Sequence, residues 1–467
     1  MKQAGANRGD NRKQGRLGNW RGLKLFALLG LFLVMGNVAA NDADAADRYE
    51  GIASCAGSTC HGRNEGDGKV VRQDELRIWQ EPSSKSGAHS RAYKALAGDR
   101  GQRIAAALGL GKAASAPACL GCHATFAPEG QRGDRFLLSD GVGCESCHGP
   151  ASGWLTSHYA VPASHASNLA NGLVPLEDPR ARASICLDCH FGSSKPGQFL
   201  THAMMAAGHP RVAFEIDLFS ALQQHYDYDD DYHARKGKPD SVGLWAIGQA
   251  EAIKRSTSLF AGTKFGSVGI FPEFYFYDCH SCHRAISDDP ASKPKFEANP
   301  ARPMPFGNPP YNDENIIMLS AVAKVLAPGQ ADRFDEASRR FHSAMGQGRD
   351  QAVAAAKELH AAASALSDAL ATRGYPGSTA FDVIKAIADK STRPRFTDYS
   401  GSAQAVMAVD TLLNALVRDG RVTIGAAAGI RANINRAYAA VASPQTFAPA
   451  SFREALSEAA RSIEALR

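Results

Sequence analysis

The stretch "GVGCESCHGPASGWLTSH", residues 141–158, contains the pattern that decides the fold. Two residues separate Cys144 from Cys147, and His148 follows at once. The same Cys-x-x-Cys-His pattern occurs three more times, as "CLGCH" (119–123), "CLDCH" (186–190) and "CHSCH" (279–283). Eight of the ten cysteines therefore belong to one repeated motif.

The chemistry of this motif must explain the histidine as well as the two thiols. Disulfides or zinc would account for cysteine pairs, but neither requires a histidine directly after the second cysteine. Covalent haem does, because two thiols add to the two vinyl groups of one porphyrin and the next imidazole takes an axial position on the iron. The proximal ligands are then His123, His148, His190 and His283. The cysteine pairs that precede them are, in the same order, Cys119 with Cys122, Cys144 with Cys147, Cys186 with Cys189, and Cys279 with Cys282.

The two remaining cysteines lie in "SCAGSTCHG", residues 54–62. Cys60 precedes His61, but Cys55 is two residues further away than in the other motifs. Four intervening small residues can bulge outward and still present both thiols to one porphyrin edge, which predicts a fifth haem c at Cys55, Cys60 and His61. The alternative is attachment through Cys60 alone, with Cys55 a free thiol.

The second axial position of each iron separates electron transfer from catalysis, because a second histidine saturates the iron whereas an open position admits substrate. Ten histidines lie outside the motifs, enough for five bis-histidine sites. The predicted distal ligands are His89, His158, His202, His209 and His225. We expect His202 and His209, seven residues apart, to share a helix face, with Met204 and Met205 as alternative ligands.

The other five histidines are weaker candidates. His165 is a rival to His158, and His233 flanks the acidic "YDYDDD" together with His225. That acidic run is interpreted as a solvated loop, with a calcium site or docking patch as the alternative. His280, between two cysteines, is expected to point away from its own iron, and His342 and His360 are expected on the surface.

Residues 1–40 have the order of a secretory signal peptide: basic residues, the apolar run "LFALLGLFLVMG" and then small residues. The alternative is an uncleaved anchor, although the run is shorter than the ~20 residues of a spanning helix. This segment has a net charge of +6 from seven basic and one acidic residue, so its removal turns the whole chain's +5 into −1. We therefore predict export to the periplasm, no nucleic-acid partner, and membrane contact only through an uncleaved N-terminus.

The composition divides the rest of the chain. Residues 47–287 hold all ten cysteines and form the predicted pentahaem domain, mainly α with little regular sheet and no stable fold without cofactor. The proline-rich residues 288–312 are predicted to be an extended surface connector. Residues 313–467 have helical apolar spacing and predict a helical bundle, with Ser451 to Glu454, "SFRE", as the capping box of the last helix.

Five stretches, in this order, resemble exported multihaem cytochromes that share the cytochrome c-554-like haem domain: "GVGCESCHGPASGWLTSH", "RASICLDCHFG", "THAMMAAGHPRVAFE", "GLWAIGQAEA" and "YDCHSCH". The resemblance covers roughly residues 50 to 310. It implies closely packed, mostly bis-histidine haems that pass electrons in bacterial respiration. It also supports His89, His158, His202 and His209 as distal ligands, and His225 less strongly. Relatives differ in haem number and in whether one haem is left open.

Two functions follow. The first is an electron carrier with five haems, linking a membrane quinol oxidase to a periplasmic acceptor. The second is an oxidoreductase that acts on a small nitrogen or sulfur compound at one five-coordinate haem. No Cys-x-x-Cys-Lys variant is present, and no acid-base set accompanies any motif, so the sequence favours the carrier. A sensor would need a signalling domain, of which the C-terminal sequence has no sign.

Overall fold

The computed structural model describes residues 48–66, 71–267, 272–283, 288–289, 297–305 and 307–467. The predicted signal segment lies outside these residues. The α-helices of the described residues are α1 (Glu75–Gln80), α2 (Ala92–Ala97), α3 (Asp99–Ala107), α4 (Pro117–His123), α5 (Glu145–His148), α6 (His165–Ala170), α7 (Pro179–His190), α8 (His202–Ala206), α9 (Ile216–Leu222), α10 (Asp230–Lys236), α11 (Ser241–Ala261), α12 (Thr263–Gly266), α13 (Cys279–Cys282), α14 (Glu314–Leu326), α15 (Pro328–Ala344), α16 (Arg349–Ala371), α17 (Thr379–Ile387), α18 (Tyr399–Arg418), α19 (Ile424–Gly429), α20 (Arg431–Ala439) and α21 (Pro449–Glu464).

Single 3₁₀ turns connect many of these helices. They are Ile52–Ser54, Ser86–Ala88, Ala113–Ser115, Glu129–Gln131, Leu138–Asp140, Ala151–Gly153, Ser157–Tyr159, Phe274–Phe276 and Arg393–Arg395. The described parts of the chain contain no β-strand, only two isolated bridges, between Tyr49 and Arg132 and between Tyr277 and Tyr311. The prediction of a mainly α protein with little sheet is confirmed.

Helix α11 is the central element of the fold. It is apolar on nearly every side, and Trp245, Ile247 and Ile253 are almost fully buried, as expected of a helix surrounded by protein. It contacts α7, α9, α14, α16 and α18. Although its sequence falls within the predicted haem domain, its packing joins that part of the chain to the C-terminal helices, and residues 48–467 form one compact unit.

The main hydrophobic core extends from Ala183 in α7 to Ile463 in α21. Helix α18 has the predicted form, because Val406, Val409, Leu413 and Leu416 are all buried and the helix ends at Arg418 before Gly420, which has φ +66°. The predicted capping box at Ser451 is wrong. Helix α21 begins two residues earlier, with Pro449 at its first position and no side-chain cap, because proline suits a first turn.

The expected surface path of the proline-rich connector is also wrong for part of its described residues. Asn299 and Arg302 are each less than a tenth exposed. The Asn299 side-chain amide donates to the carbonyl of Arg395, and the guanidinium of Arg302 forms an ion pair with Asp398. Proline prevented a helix here, as predicted, but the extended chain is held inward by polar side chains.

The helical core predicts a large cost for cavity formation. Leu366 of α16 is fully buried, so Leu366→Ala should lower the free energy of unfolding by about 2–5 kcal/mol, measured by denaturant titration of the holoprotein. Ile424→Ala is the control, because that side chain is 77% exposed and its loss should change the same quantity by less than about 0.5 kcal/mol. Equal effects of the two changes would contradict the packing.

A bilayer-crossing helix requires both length and sustained hydrophobicity. None of the helices in the described residues combines the two.

Candidate haem sites

The four regular motifs lie on single helical turns. Cys119 to His123 are within α4, Cys186 to His190 end α7, and the other two motifs coincide with the short helices α5 and α13. Residues i, i+3 and i+4 of a helix share a face. Each turn therefore presents two thiols and one imidazole on the same side, as one covalently attached porphyrin requires.

The irregular motif reaches a similar arrangement through a loop. The backbone N–H of His61 donates to the carbonyl of Cys55 at 3.2 Å, and that of Cys60 donates to Gly57 at 2.9 Å. Gly57, Ser58 and Thr59 between them are exposed. The longer spacing is thus taken up by residues that point to solvent, while the ends of the motif stay hydrogen-bonded to each other.

Each of the five proximal histidines faces one other histidine. The ring centroids are 6.0 to 6.3 Å apart in every case, and the five partners are the histidines predicted as distal ligands. In chain order of the motifs, we name the pairs site 1 (His61 and His158, 6.3 Å), site 2 (His123 and His209, 6.2 Å), site 3 (His148 and His225, 6.2 Å), site 4 (His190 and His89, 6.3 Å) and site 5 (His283 and His202, 6.0 Å).

This separation fits a metal ion between the rings. Two imidazole nitrogens that each bind one metal ion at ~2 Å place their ring centroids roughly 6 Å apart. Five pairs drawn from remote parts of the chain share that spacing, although their interplanar angles range from 11° to 85°. The spacing is therefore common to the sites, whereas the ring orientation is specific to each.

The ring nitrogens that face away from the partner histidine are also fixed. In six of the ten site histidines Nδ1 lies 2.6 to 3.1 Å from an oxygen that can only accept, so Nδ1 carries the hydrogen and Nε2 keeps the lone pair that a metal needs. These contacts are His61 with Glu75 Oε2, His123 with the carbonyl of Ala92, His158 with Leu155, His190 with Ala213, His209 with Pro210 and His225 with Gln223.

Burial keeps several of these imidazoles neutral. It lowers the pKa of His148 to about 3 and that of His89 to about 4, and it also lowers the pKa of His190 and His209. Neutral imidazole is the form that binds iron. At site 1 the hydrogen bond with Glu75 instead raises the pKa of His61, so the charge state supports iron binding at sites 2, 3 and 4. The spacing fits an iron ion at all five sites, and the two thiols beside each proximal histidine fit haem c.

Contacts between cysteines of different motifs give the order of the sites. The hydrogen bond to Cys144 raises the pKa of the Cys55 thiol, which places site 1 beside site 3. Burial, followed by the nearby thiols of Cys186 and Cys189, raises the pKa of Cys147 to about 12, which places site 3 beside site 4.

Site 4 in turn adjoins site 2. The Cys189 thiol is hydrogen-bonded to that of Cys122, and the two attachment turns meet closely. Gly121, between the two cysteines of site 2, packs on the backbone of Gly197, and a Cβ at Gly121 would lie only 2.4 Å from the Gly197 carbonyl carbon. Glycine at 121 is thus required for this approach.

Site 5 is connected to site 2 by one short segment. His202 begins α8 and belongs to site 5, whereas His209 follows the helix and belongs to site 2. The guanidinium of Arg211 then lies 3.2 Å from the sulfur of Cys279. Thiol contacts therefore join sites 1, 3, 4 and 2 in that order, and the segment from His202 to Ala213 connects site 5 with both site 2 and site 4.

Two expectations about histidines are wrong. His202 and His209 do not share a helix face, because α8 ends at Ala206 and Gly208, with φ +108°, turns the chain before His209. His342 is fully buried rather than exposed, with Nε2 3.7 Å from Asp313 Oδ2, because α15 packs against α14.

The remaining histidines face none of the proximal imidazoles in the described residues. His165 contacts Glu177, His233 lies on α10 beside Tyr232, His280 contacts the carbonyl of Pro444 and His360 contacts that of Lys254. Met204 and Met205 pack against the main hydrophobic core. Sequence reasoning missed Glu75, which has no motif to mark it, and Arg211, which lies within the quoted stretch "GHPR" but had no assigned role.

Paired thiols, an axial histidine and an opposing histidine define a c-type cytochrome site, and comparison with known proteins agrees. Residues 54–149 match the model of the family described as cytochrome c554 and c-prime. The match supports a cytochrome c-554-like haem domain in these residues, with covalently bound haem c and a c-type cytochrome's role in electron transfer. The match includes the motifs of sites 1, 2 and 3 and ends well before residue 310, the expected limit of the resemblance. Members of that family are typically exported. No curated protein and no solved structure matches the chain.

Proposed function

We propose that this protein is an exported, periplasmic cytochrome that carries five haems c, one at each site, and passes electrons along them in a respiratory chain. The five imidazole pairs with a common spacing of 6.0 to 6.3 Å carry this proposal. Cys55 with Cys60 and the four regular cysteine pairs would hold the porphyrins, and the two histidines of each site would hold the iron. Haem supplies reversible one-electron chemistry in such sites.

The exposure of the attachment cysteines supports a conduit with two ends. Sites 1 and 5 include the two exposed cysteines, Cys60 and Cys282. The cysteines of sites 2, 3 and 4 are partly buried. Electrons would therefore enter and leave at sites 1 and 5.

The proposed partners are a membrane quinol oxidase and a periplasmic acceptor. The chain without its N-terminal segment has a net charge of −1, and haem propionates would make it more acidic. An acidic carrier favours encounter with basic partner surfaces. The signal-peptide pattern of residues 1–40 supports export.

A second histidine opposite every proximal histidine favours the carrier over the alternative, an oxidoreductase with one five-coordinate haem that acts on a small nitrogen or sulfur compound. A saturated iron offers substrate no open position. In the carrier, the five distal histidines would prevent exogenous ligands from binding to the irons.

Intact mass and electron paramagnetic resonance of the purified holoprotein test the proposal together. We expect the mass of five covalently attached haems and no high-spin ferric signal, because all five irons are predicted to have two histidine ligands. A mass of four haems would contradict attachment at Cys55 and Cys60. A high-spin signal from about one haem in five would instead support the oxidoreductase.

A further inference from the structure

Three buried aspartates meet where α13, α14 and α18 begin. Asp278, Asp313 and Asp398 each directly precede one of these helices and are at most 3% exposed. Arg302 lies among them, with Nη1 3.1 Å from Asp398 Oδ2 and 3.5 Å from Asp313 Oδ1. The cluster is thus an ionic group inside the protein.

Its charges do not balance when every carboxyl is ionised. Arg395 is the second cation that faces Asp313, but it also faces Asp335. Burial, followed by the charges of Arg302 and Arg395, lowers the pKa of His342 well below its ordinary value, so this imidazole adds no positive charge. Three carboxylates and two guanidiniums leave one uncompensated negative charge, which is costly in a dry interior unless a proton neutralises it.

Asp313 and Asp398 are placed to hold that proton jointly. Asp313 Oδ1 and Asp398 Oδ2 lie 3.5 and 3.1 Å from the same nitrogen of Arg302, so one guanidinium faces two carboxyl groups, and a proton on either of them removes the excess negative charge. Burial is the largest cause that raises the pKa of Asp313, to about 8. The carboxyl of Asp313 therefore exchanges its proton close to neutral pH.

An unpartnered histidine points into the same cluster. His342 is fully buried, and neither of its ring nitrogens has a hydrogen-bond partner among the described residues. Its Nε2 lies 3.7 Å from Asp313 Oδ2, which likewise lacks a donor in the described part of the chain. Unsatisfied buried polar groups are rare in folded proteins, so their concentration beside the carboxyl pair indicates a polar site with a function.

The cluster is bonded to the attachment turn of site 5. Asp278 immediately precedes Cys279, and its Oδ2 accepts the backbone N–H of Ser281, between the two cysteines, at 2.9 Å. Arg302 and Asp398 are the charged groups that act on Asp278. A change of charge at site 5 therefore changes the electrostatic potential at the carboxyl pair, because a low-dielectric interior screens charges weakly.

A groove open to solvent lies next to the cluster at Arg395. It has a volume of about 350 Å³ and is lined by Arg395, Ser320, Lys324 and Thr392, among others. The guanidinium of Arg395 thus borders both the groove and the cluster.

We propose that Asp313 and Asp398 form a proton-exchange site that takes up one proton from solvent when site 5 gains one electron. This rests on the proposed function, because it requires a redox-active iron at site 5. A one-electron donor is oxidised, the ferric ion of site 5 becomes ferrous, and the proton adds to an oxygen of the ionised carboxyl pair. The added positive charge compensates the added electron, so the interior charge does not change.

Proton uptake on full reduction is the first test. The wild-type holoprotein, reduced with dithionite in weakly buffered solution above pH 8, should bind about one proton more per molecule than Asp313→Asn, read with a pH indicator. The reduction potential of one haem should fall by up to ~59 mV per pH unit as the pH rises through about 8, and this slope should flatten in the variant. Asp382→Asn is the control, because Asp382 lines the groove but is half-exposed and paired with Arg467. It should show the same proton uptake and the same slope of potential with pH as the wild type.

A second variant and a wild-type spectrum keep the test decisive. Asp398→Asn should reproduce the effect, and infrared difference spectra of the wild type should show a protonated carboxyl band that grows on reduction. If five low-spin haems are present but proton uptake and the infrared band are unchanged, the proton-exchange site is refuted while the electron-transfer function stands. If site 5 carries no haem, the proposed function itself fails.

Discussion

Replacing His158 with alanine should convert about one fifth of the ferric haem from low-spin to high-spin and leave the haem count unchanged. His158 faces His61 across 6.3 Å, and its Nδ1 contacts the carbonyl of Leu155, which leaves Nε2 for the iron of site 1. Removing this ligand opens one axial position, whereas the thioether bonds at Cys55 and Cys60 are unaffected. Electron paramagnetic resonance measures the spin state, and intact mass measures the haem count.

His165→Ala is the matched control for this change. His165 lies seven residues further along the chain and contacts Glu177 instead of a proximal histidine. Its replacement should leave all five irons low-spin. A high-spin haem in His165→Ala and none in His158→Ala would show that the ligand of site 1 is assigned to the wrong histidine.

Preventing haem attachment should unfold the N-terminal third of the protein and spare the helical core. Between residues 48 and 182 the buried apolar residues are few and scattered, whereas the main core extends from Ala183 to Ile463. The second hydrophobic cluster holds Leu96, Ala105 and Ala113, and Ile52, Ile104, Trp154 and several alanines are buried outside it. So little buried apolar area cannot offset the entropy of ordering about 130 residues, because each residue costs ~1–2 kcal/mol. The porphyrins must supply the missing apolar contacts.

Hydrogen exchange read by mass spectrometry tests this expectation. In a chain produced without haem attachment, amides of α3 and α4 should exchange as in an unfolded peptide, whereas those of α16 and α18 should stay protected. The holoprotein is the control and should protect both sets. Protection of α3 in the apo chain would mean that the N-terminal part has a core of its own.

Local patterns were predictable because local geometry creates them. Two thiols and an imidazole at i, i+3 and i+4 need only one helical turn, so the sequence alone identified Cys186, Cys189 and His190 as a unit. The apolar spacing of α18 likewise predicted its buried face and its end. The capping box at Ser451 failed because a proline two residues earlier had a stronger effect on where the helix starts.

The partner of each proximal histidine could not be predicted, because long-range packing decides it. The sequence supplied His89 and His209 as candidates, but only the fold places His89 opposite His190 and His209 opposite His123. Similarly, nothing in the spacing indicated that His342 is buried beside Asp313.

The positions of the cysteine pairs with their following histidines, and the mainly helical character of the chain, can be read from the sequence, since both depend on contacts within a few residues. The pairing of histidines, the thiol contacts that join sites 1, 3, 4 and 2, and the buried cluster around Arg302 follow only from the fold. Each of these joins side chains that are remote in sequence, such as Cys122 and Cys189 or Arg302 and Asp398. Cys122 and Cys189 meet because α4 packs on α7, and Arg302 meets Asp398 because the connector lies against the start of α18, which no local pattern encodes.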